Sequence, residues 1–400
     1  MVEPGSGPRH ALPKRHRGRR VLTRLGIGFL VLALGVATAG FLYYRHLEGN
    51  IEVIDPDLGE NRPAPGPKGP LNILLLGSDE RVSGGGVLGA GGDLSDTTIL
   101  LHLSADRSRA YAVSITRDLL VDRPECPGAE PGDPDVPAAT DVQINTAFQV
   151  GGPNCTWRTV EALTKMRVDD TVVVQFDGFI RMVDALGGVP VCVPKEIDDP
   201  DRGIYIPEGS YDAKGDQALD YVRARYGIGD GTDIGRLKRQ QAFLASMTNR
   251  AISAGTLLNP LKLIPFLEAV TESIEASPGL AKLSQLRGLA NQLRDIGLSN
   301  VKFLSMPVSI PPEDINRRIP APEAAALWDR IKRDVKLTPA QLAGAIDAGQ
   351  DPNGRPGDTV SGTPTPTPTT ETPTPGTPTA TPTPTEDAEA AAREAVGLCA

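Results

Sequence analysis

The feature that most constrains this chain is a run of 20 residues, 25–44, without a charged side chain. As a helix rising about 1.5 Å per residue, the run is about 30 Å long, which matches the hydrocarbon core of a membrane. Residues 1–24 carry a net charge of +6 and the remaining residues −15, which together give the chain's −9. Because basic residues beside a membrane span stay in the cytoplasm, this pattern predicts a cytoplasmic N-terminus and export of residues 46–400.

A cleaved signal peptide is the alternative interpretation of the same run. Ala37, Thr38 and Ala39 resemble the small-residue site at which such peptides are cut. The run continues to full membrane length, which favours an uncleaved anchor. Both interpretations place the rest of the chain outside the cytoplasm.

Composition divides the chain further. Residues 46–70 are acidic and then rich in Pro and Gly, and residues 359–386 are almost entirely Thr and Pro, a composition that cannot bury apolar surface. We therefore expect a basic cytoplasmic tail (1–24), a transmembrane helix (25–44), an extracytoplasmic spacer (45–70), one globular domain (71–340) and a disordered Thr/Pro-rich tail (341–400).

The overall composition excludes two classes of protein. An apolar fraction of 40% and a charged fraction of 23% are typical of a chain with a packed core, so wholesale disorder is excluded. Aromatic residues make up only 4% and the net charge is −9, which argues against a nucleic-acid partner.

Four cysteines, Cys126, Cys155, Cys192 and Cys399, lack the CxxC spacing of a zinc site. In an exported chain we expect disulfides. Cys126 and Cys155 flank one Pro/Gly/Asp-rich loop and are the predicted pair, which leaves Cys192 with Cys399. Free thiols remain the alternative, above all for Cys192 inside an apolar run.

Hydrophobic periodicity predicts alternating strands and helices over the globular part. Short apolar runs predict strands, and patterns of period 3.6 predict helices. The predicted strands are 71–76, 97–103, 110–115, 171–176, 189–193 and 301–306, and the predicted helices are 156–167, 177–186, 215–225, 233–253, 260–275, 280–295 and 321–334. This alternation predicts a layered α/β domain around a mostly buried sheet.

Familiar catalytic motifs do not occur in the sequence. It contains no nucleophile elbow, HExxH or Walker A motif, and the Gly-rich stretch 84–92 lacks the Lys-Ser/Thr of a phosphate loop. Three of the four histidines flank the uncharged run, and His102 lies within a predicted strand, where we expect a hydrogen-bonded core residue. Catalysis by histidine is therefore not expected.

Asp and Arg residues cluster instead at the ends of predicted elements. Residues just beyond strand ends line the ligand crevice of open α/β sheets. An extended segment would aim Arg223 and Arg225 the same way, and a helix places Arg236, Arg239 and Gln240 on one face. Separate surface salt bridges are the alternative for each arginine, but together the set predicts a clamp for phosphate groups.

These residues occur in motifs that resemble those of the LytR-CpsA-Psr family of cell-envelope proteins. The motifs are GSDER, SDT, S-x-TRD, IN-x-AF-x-x-GG, DALGGVPV and YVRARxxxGDGxDxGRxxRQQ, in this order over roughly 71–335. The resemblance implies a layered α-β-α domain with a central mixed sheet, preceded by one transmembrane helix. It also implies a single-pass protein of the cell membrane with its catalytic domain outside the cytoplasm.

The activity implied by the resemblance is that of a magnesium-dependent phosphotransferase. The donor would be a polyprenyl-pyrophosphate-linked glycan, the acceptor a sugar hydroxyl of peptidoglycan, and polyprenyl phosphate the leaving group. A diphosphate needs its charge neutralised before a hydroxyl can attack, and Mg²⁺ with several guanidinium groups supplies this.

The resemblance also assigns roles to single residues. Asp79 and Asp96 match the magnesium ligands. The catalytic set comprises Arg117, Arg223 and Arg225, with Asp118 and Asp233 as alternative bases, and the substrate-binding set comprises Arg81, Asn145, Arg236, Arg239 and Gln240. Many members carry Arg before the Ser-Asp pair, whereas this chain has Leu94, so one phosphate contact is absent or is made by another arginine.

Two other functions use the same residues. A pyrophosphatase would use the metal and the arginines with water as the acceptor, and a non-catalytic protein would only bind the lipid-linked glycan, a possibility that the Leu94 departure supports. A transcription regulator would need a cytoplasmic DNA-binding module, and the basic N-terminus of 24 residues is too short to fold as one. Transferase is therefore the first hypothesis, with hydrolase and binding protein as alternatives.

Overall fold

The computed structural model describes residues 16–60, 62–67, 69–78, 95–129, 132–200, 203–224, 233–253, 259–349, 393 and 398–399. The chain forms two compact units, Met1–Asn50 and Ile51–Ala400. In the first unit, helix α1 (His16–Asn50) contains a segment, Arg24–Asn50, that is long and apolar enough to cross a membrane. Its apolar side chains, such as Leu30 and Phe41, are more than half exposed, as expected of a segment that faces lipid.

The second unit alternates strands and helices. Its helices in the described residues are α2 (Thr146–Thr164), α3 (Phe176–Ala185), α4 (Gly215–Arg223), α5 (Asp233–Ser253), α6 (Pro260–Thr271), α7 (Leu283–Ile296) and α8 (Pro322–Lys332), with a 3₁₀ turn at Leu298–Asn300. Its strands there are β1 (Glu52–Val53), β2 (Leu71–Ser78), β3 (Ser95–Leu103), β4 (Ala110–Ile115), β5 (Leu120–Arg123), β6 (Ala139–Gln143), β7 (Asp170–Gln175), β8 (Val189–Val193), β9 (Ile197–Asp199), β10 (Ile204–Ile206), β11 (Gly209–Ala213), β12 (Ile274–Ala276), β13 (Val301–Ser305), β14 (Val308–Ser309), β15 (Ile319–Pro320) and β16 (Ile346–Asp347).

Eight of these strands form one mixed sheet in the order β1-β12-β7-β2-β3-β4-β13-β16. Strand β2 runs parallel to β7 and antiparallel to β3, and β4 runs antiparallel to β3 and parallel to β13. Strands β2, β4, β7 and β13 therefore point the same way, and their carboxyl ends meet at one edge of the sheet.

Alternation along the strands buries both faces of this sheet. In β2, Leu74 and Leu76 belong to a core cluster with Trp157 of α2 and Leu327 of α8, whereas Ile73 belongs to a second cluster with Ala242 of α5. Helices thus cover both faces, and the predicted layered α-β-α arrangement with a mixed sheet is confirmed.

The predicted strand at 189–193 forms, but it lies outside the large sheet. As β8 it pairs with β11 in a two-stranded sheet, and its side chains pack with those of α3, α4 and Phe243 in a third core cluster. A continuous apolar run predicts burial, and it does not specify which sheet the strand joins.

The segment predicted as a spacer is partly built into the domain. Helix α1 continues to Asn50, β1 pairs with β12, and the side chains of Ile51, Ile54 and Leu58 are buried. Composition alone indicated a linker because the apolar residues in this stretch are few and separated.

The segment predicted as a tail also returns to the domain at two places. Strand β16 pairs with β13, and Leu398 is buried in the cluster that covers α5 and α7. Disulfides join Cys126 to Cys155, as predicted, and Cys192 to Cys399. The predicted boundary at residue 340 therefore leaves out β16 and the buried Leu398, which pack with the domain.

Helix α2 begins ten residues earlier than its periodicity predicted. The helix is kinked at Gly151 and at Gly152, whose φ of +59° is a left-handed conformation, just before Pro153. A Gly-Gly-Pro sequence is normally a helix boundary, which hid the first part. A Cβ at Gly151 would lie 2.7 Å from the carbonyl oxygen of Pro127, so this glycine allows the disulfide-closed loop to pack closely.

Candidate active site

The carboxyl-terminal edge of the sheet brings the predicted site residues together. Ser78 at the end of β2 pairs with Gln175 at the end of β7, and also with Ser95 at the start of the antiparallel strand β3. On the other side of β3, Thr98 pairs with Ile115, the last residue of β4. Residues that follow β2, β4 and β7, or begin β3, therefore lie along one line.

A β-bulge lies at the centre of this edge and contains Asp96. Gly77 pairs with Thr97 and Ser78 pairs with Ser95, so Asp96 is the extra residue of β3. Bulges interrupt the ladder and redirect side chains, and they are frequent beside active sites. Asp96, a predicted metal ligand, therefore lies at an irregular position of the backbone. The neighbouring strand β2 ends at Ser78, the residue that precedes Asp79 in sequence.

Arg117 and Asp118 follow β4 at the same edge. The Asp118 carboxylate accepts a hydrogen bond of 2.9 Å from Nε2 of Gln143, and its Oδ2 lies 3.8 Å from Nε of Arg117. Both side chains of this ion pair are 20% exposed. Asp118 is therefore oriented by two neighbours and accessible to solvent, as a group that exchanges a proton must be.

Asn145 lies beside this segment, at the start of α2. The amide of Ile144 donates to the carbonyl of Leu119 at 2.9 Å, which joins the two stretches. The Asn145 side chain does not cap its helix, and the residue is 5% exposed. Its Oδ1 is buried without a hydrogen-bond partner among the described residues, which is a costly state for a polar atom.

Arg223 approaches the edge from α4. It is the last residue of that helix, and its Cζ lies 4.7 Å from the centre of the Phe176 ring, a cation–π contact. Phe176 follows β7, and a Cβ built on Gly77 would lie 4.0 Å from its ring. Burial raises the pKa of the nearby Asp220 carboxyl and Asp216 adds to this, whereas the Arg223 guanidinium lowers it.

The predicted binding residues of α5 contact the backbone that carries Arg223. The Arg239 guanidinium donates to the carbonyl of Ala224, and Nε2 of Gln240 donates to the carbonyl of Val222 at 3.1 Å. Arg236 and Arg239 are 3% and 1% exposed. For Arg239 and Gln240, the described contacts are therefore those of residues that position the end of α4.

The predicted helix at 215–225 forms as α4 and ends at Arg223, and Ala224, with a ψ of 131°, leaves the helix. Asp79, Arg81, Leu94 and Arg225 lie outside the described residues, as do the side chains of Asp96 and Asp233. The backbone of Asp233 begins α5.

The sequence did not single out three residues that organise this edge. Gln241 donates from Nε2 to Oγ of Ser114 at 3.1 Å and to Oγ of Ser305 at 2.9 Å, which links α5 to β4 and β13. Phe176 supports Arg223 and Gln143 holds Asp118. Gln241 adjoins the predicted Gln240 in sequence, but only the packing of α5 on the sheet shows its partners.

The arrangement is suited to binding a charged oxyanion. Two guanidinium groups, of Arg117 and Arg223, reach the same edge from different elements, and a polar carboxylate lies beside one of them. Guanidinium groups recognise phosphate oxygens through paired N–H donors and stay protonated at any physiological pH. The edge therefore offers positive charge for a phosphate and an acceptor for a proton.

Two known proteins are similar to this chain in sequence. The cell wall biosynthesis protein LcpA of Corynebacterium glutamicum is 32% identical over 266 residues, which cover 60% of this chain and 50% of LcpA. The polyisoprenyl-teichoic acid–peptidoglycan teichoic acid transferase TagV of Bacillus subtilis is 27% identical over 303 residues, which cover 73% of this chain and 71% of TagV. This chain thus spans only about half the length of LcpA.

The fold agrees with that of a solved relative. The crystal structure of B. subtilis TagV superposes with a TM-score of 0.51 at 26% identity, over 68% of this chain and 99% of that one. The sequence model of the LytR_cpsA_psr family matches residues 45–332, which is more than half of the chain. The chain therefore belongs to the LytR_cpsA_psr family.

Proposed function

We propose that this protein transfers a glycopolymer from a polyprenyl-pyrophosphate carrier to peptidoglycan. The observation that carries the proposal is that Arg117, after β4, and Arg223, beside Phe176 after β7, lie at the same edge of the sheet as the bulge at Asp96. TagV, a relative over most of its length, is named as a transferase of polyisoprenyl-linked teichoic acid to peptidoglycan. Diphosphate binding at this edge is the chemical property that the proposed transfer reaction requires.

In the proposed reaction, a sugar hydroxyl of peptidoglycan attacks the phosphorus that bears the glycan. A new O–P bond forms, the bond to the bridging oxygen breaks, and polyprenyl phosphate leaves with the electron pair. Arg117 and Arg223 stabilise the negative charge on the phosphate oxygens as it shifts towards the leaving group. No covalent enzyme intermediate is needed.

Asp118 is proposed to accept the proton of the attacking hydroxyl. The Gln143 amide and the Arg117 guanidinium orient its carboxylate and leave it accessible. Asp233 at the start of α5 is the alternative base, and aspartate-to-asparagine changes at the two positions distinguish them. Asn145, with its buried and unpartnered Oδ1, is proposed to accept a hydrogen bond from the substrate.

Magnesium is the proposed cofactor, with Asp79 and Asp96 as its ligands. Two carboxylates together with phosphate oxygens and waters are a common ligand set for Mg²⁺. Ser78, the residue before Asp79 in sequence, pairs with Ser95, the residue before Asp96. When bound, Mg²⁺ would neutralise part of the diphosphate charge.

The polyprenyl chain requires an apolar surface near the phosphates. Helix α6, whose end lies beside the start of α3, carries exposed apolar side chains, with Leu261 85% and Ile264 46% exposed. Phe179 and Phe266 nearby are only partly buried against the third core cluster. We propose that the lipid lies along this side of the domain, between α3 and α6.

A transfer assay tests the proposed function. The full-length protein in detergent is incubated with a polyprenyl-pyrophosphate-linked oligosaccharide and a peptidoglycan fragment, with and without Mg²⁺. We expect a phosphodiester-linked glycan–peptidoglycan product that depends on Mg²⁺ and is lost in Arg117→Ala. Release of glycan phosphate without a peptidoglycan product would instead identify a hydrolase, and binding without turnover a carrier protein.

The proposed localisation is the cell membrane, with α1 as a single anchor and the domain outside the cytoplasm. The disulfides Cys126–Cys155 and Cys192–Cys399 agree with an oxidising compartment. A reporter enzyme that is active only outside the cytoplasm, fused after Ala400, is expected to be active. A cytoplasm-specific reporter that is active at the same position would contradict the topology.

A further inference from the structure

A cavity that is separate from the candidate active site lies beneath the segment that follows α1. It has a volume of about 520 Å³ and is lined by residues of the 58–64 segment, of α2 and of the end of α8. Glu161, which lines the cavity, accepts a hydrogen bond from the amide of Val168, just before β7 begins. The cavity therefore lies at the end of the sheet where β7 starts. The active-site edge lies at the other end of β7.

The segment over the cavity is fixed in place by a buried ion pair. Arg62 donates to both carboxylate oxygens of Glu161, at 3.0 and 2.6 Å, and to the carbonyl of Val168 at 2.7 Å. Its guanidinium also lies 5.3 Å from the centre of the Trp157 ring. The Glu161 carboxylate in the cavity wall is therefore already paired with Arg62.

Three further cations line the same cavity. Arg158, Lys165 and Lys332 make no ion pair and no side-chain hydrogen bond among the described residues, and the other carboxylate in the lining is that of Glu125. The Arg158 guanidinium is packed against Gly59, where a Cβ would lie 3.1 Å from Nη2. Gly59 has a φ of +61°, so glycine serves both the turn and the close approach.

Concentrated positive charge is unusual on an acidic chain whose net charge is −9. Unpaired cations in a partly enclosed cavity repel one another, and an anionic ligand relieves this repulsion. The walls also include the exposed or partly exposed apolar side chains of Pro63, Ala64 and Pro124. A small inorganic anion would leave these walls uncovered, whereas an amphiphile with a phosphate group would cover them.

We propose that this cavity binds the phosphate headgroup of an anionic membrane lipid. The 58–64 segment of the cavity wall begins a few residues after Asn50, where the apolar helix ends. In an anchored chain this segment belongs to the juxtamembrane part of the sequence. Lys and Arg side chains that lie near a membrane surface attract anionic headgroups. Such binding would hold the domain at the bilayer, where its lipid-linked substrate is found.

The proposal rests on the membrane anchoring proposed above, and its test does not use the transfer reaction. Thermal unfolding of the full-length protein in a non-ionic detergent is followed during titration with short-chain phosphatidylglycerol. A ligand that binds only the native state raises the unfolding temperature in proportion to its affinity. Phosphatidylcholine of the same chain length and inorganic phosphate serve as comparison ligands.

The exposed lysines give variants that leave the core intact. We expect Lys165→Glu combined with Lys332→Glu to weaken phosphatidylglycerol binding by at least about 25-fold, since each cation near an anionic lipid contributes about fivefold. Lys195→Glu, at an exposed site between β8 and β9, is the matched control and should bind like the wild type. Arg223→Ala should also retain binding, which separates this cavity from the active site.

Each other outcome overturns the proposal. Equal stabilisation by phosphatidylcholine would show that the headgroup charge does not matter. Equal stabilisation by inorganic phosphate would identify an anion site without a lipid. Unchanged binding in the double lysine variant, or lost binding in Arg223→Ala, would place the lipid elsewhere. Absence of stabilisation by all three ligands would exclude the site, whatever the outcome of the transfer assay.

Discussion

At the scale of single residues, Arg223 connects the phosphate clamp to the rest of the fold. Its guanidinium lies over Phe176 at 4.7 Å, and its helix ends where Arg239 and Gln240 bind the carbonyls of residues 224 and 222. Arg223 and the two α5 residues belong to one sequence motif, but their contacts differ. Arg223 points to the edge that binds the substrate in our proposal, and the α5 residues hold its backbone.

Replacement of Arg223 by alanine tests the clamp. We expect Arg223→Ala to reduce the rate of glycan transfer by about 10²–10³, which is typical for loss of one electrostatic donor to a developing charge. The free energy of unfolding should change little, because the side chain is only partly buried. Transfer kinetics and thermal unfolding of the same preparations measure both effects.

Arg250→Ala is the matched control for this change. Arg250 lies near the end of α5 and pairs with Asp212 at 3.0 Å, with side chains 31% and 41% exposed. Loss of such an exposed pair has a small effect on stability, and transfer should be normal. A variant of Arg223 that unfolds earlier but transfers normally per folded molecule would show that Arg223 is only structural.

At the scale of elements, α5 and the sheet are joined by the Gln241 amide, which bridges Ser114 and Ser305. Ser114 precedes Arg117 by three residues, and Gln241 follows the residues that hold the end of α4. This link therefore fixes the two halves of the clamp relative to each other. Buried polar links of this kind specify one packing of a helix on a sheet.

A double-mutant cycle of Gln241→Leu and Ser114→Ala measures this link. Each single change is expected to lower the free energy of unfolding by about 1–3 kcal/mol, because it leaves a buried polar partner unsatisfied. The double variant should lose less than the sum, by about 0.5–1.5 kcal/mol, as residues in contact do. Denaturant titrations measure the four stabilities, and additive losses would mean that the two side chains do not interact.

The disulfides act on longer segments. Cys126–Cys155 closes the loop between β5 and β6 onto α2 with a separation of 29 residues, and Cys192–Cys399 spans 207 residues. Chain-entropy arguments predict a loss of about 3–4 kcal/mol when the first pair is replaced by serine and about 5 kcal/mol for the second. Denaturant unfolding of the two double-serine variants compares them. A larger loss for the shorter loop would contradict the entropic account.

At the scale of the whole molecule, the pH dependence of the free energy of unfolding should include a contribution from His102. The prediction of a hydrogen-bonded core histidine is confirmed, since the residue is 2% exposed, with Nδ1 at 2.8 Å from Asn72 and Nε2 at 3.3 Å from Asp334. Burial lowers the pKa of His102 below 6.5, although its hydrogen bond to Asp334 opposes this.

The sign of the resulting pH dependence follows from this direction. Below about pH 6.5 the unfolded chain takes up a proton at position 102 that the native protein does not, so acidification favours unfolding. We expect a loss of up to about 1 kcal/mol between about pH 6.5 and 5.5 from this residue. Thermal unfolding of the wild type and His102→Gln at both values should show a steeper dependence in the wild type, and equal slopes would contradict the assignment.

The sequence by itself determined the identity and order of the main elements. Short continuous apolar runs indicated β2, β3, β4, β7 and β13, and period-3.6 patterns indicated most of the helices, to within a few residues, because each element buries apolar side chains. The uncharged run, the cysteine pair Cys126 and Cys155, and the clustering of Asp and Arg at strand ends were equally local signals. Each depends on neighbours in sequence, so the pattern is visible without a fold.

Only the tertiary structure decided which residues meet. The pairing of α5 with the end of α4, the Gln241 bridge, the return of Leu398 and Cys399, and the cavity beneath the 58–64 segment all join residues that are far apart in sequence. Their partners are fixed by how helices pack on the sheet and by which polar groups packing buries. A charged side chain in a sequence motif has the same local pattern whether it binds substrate or its own backbone, and only packing distinguishes the two.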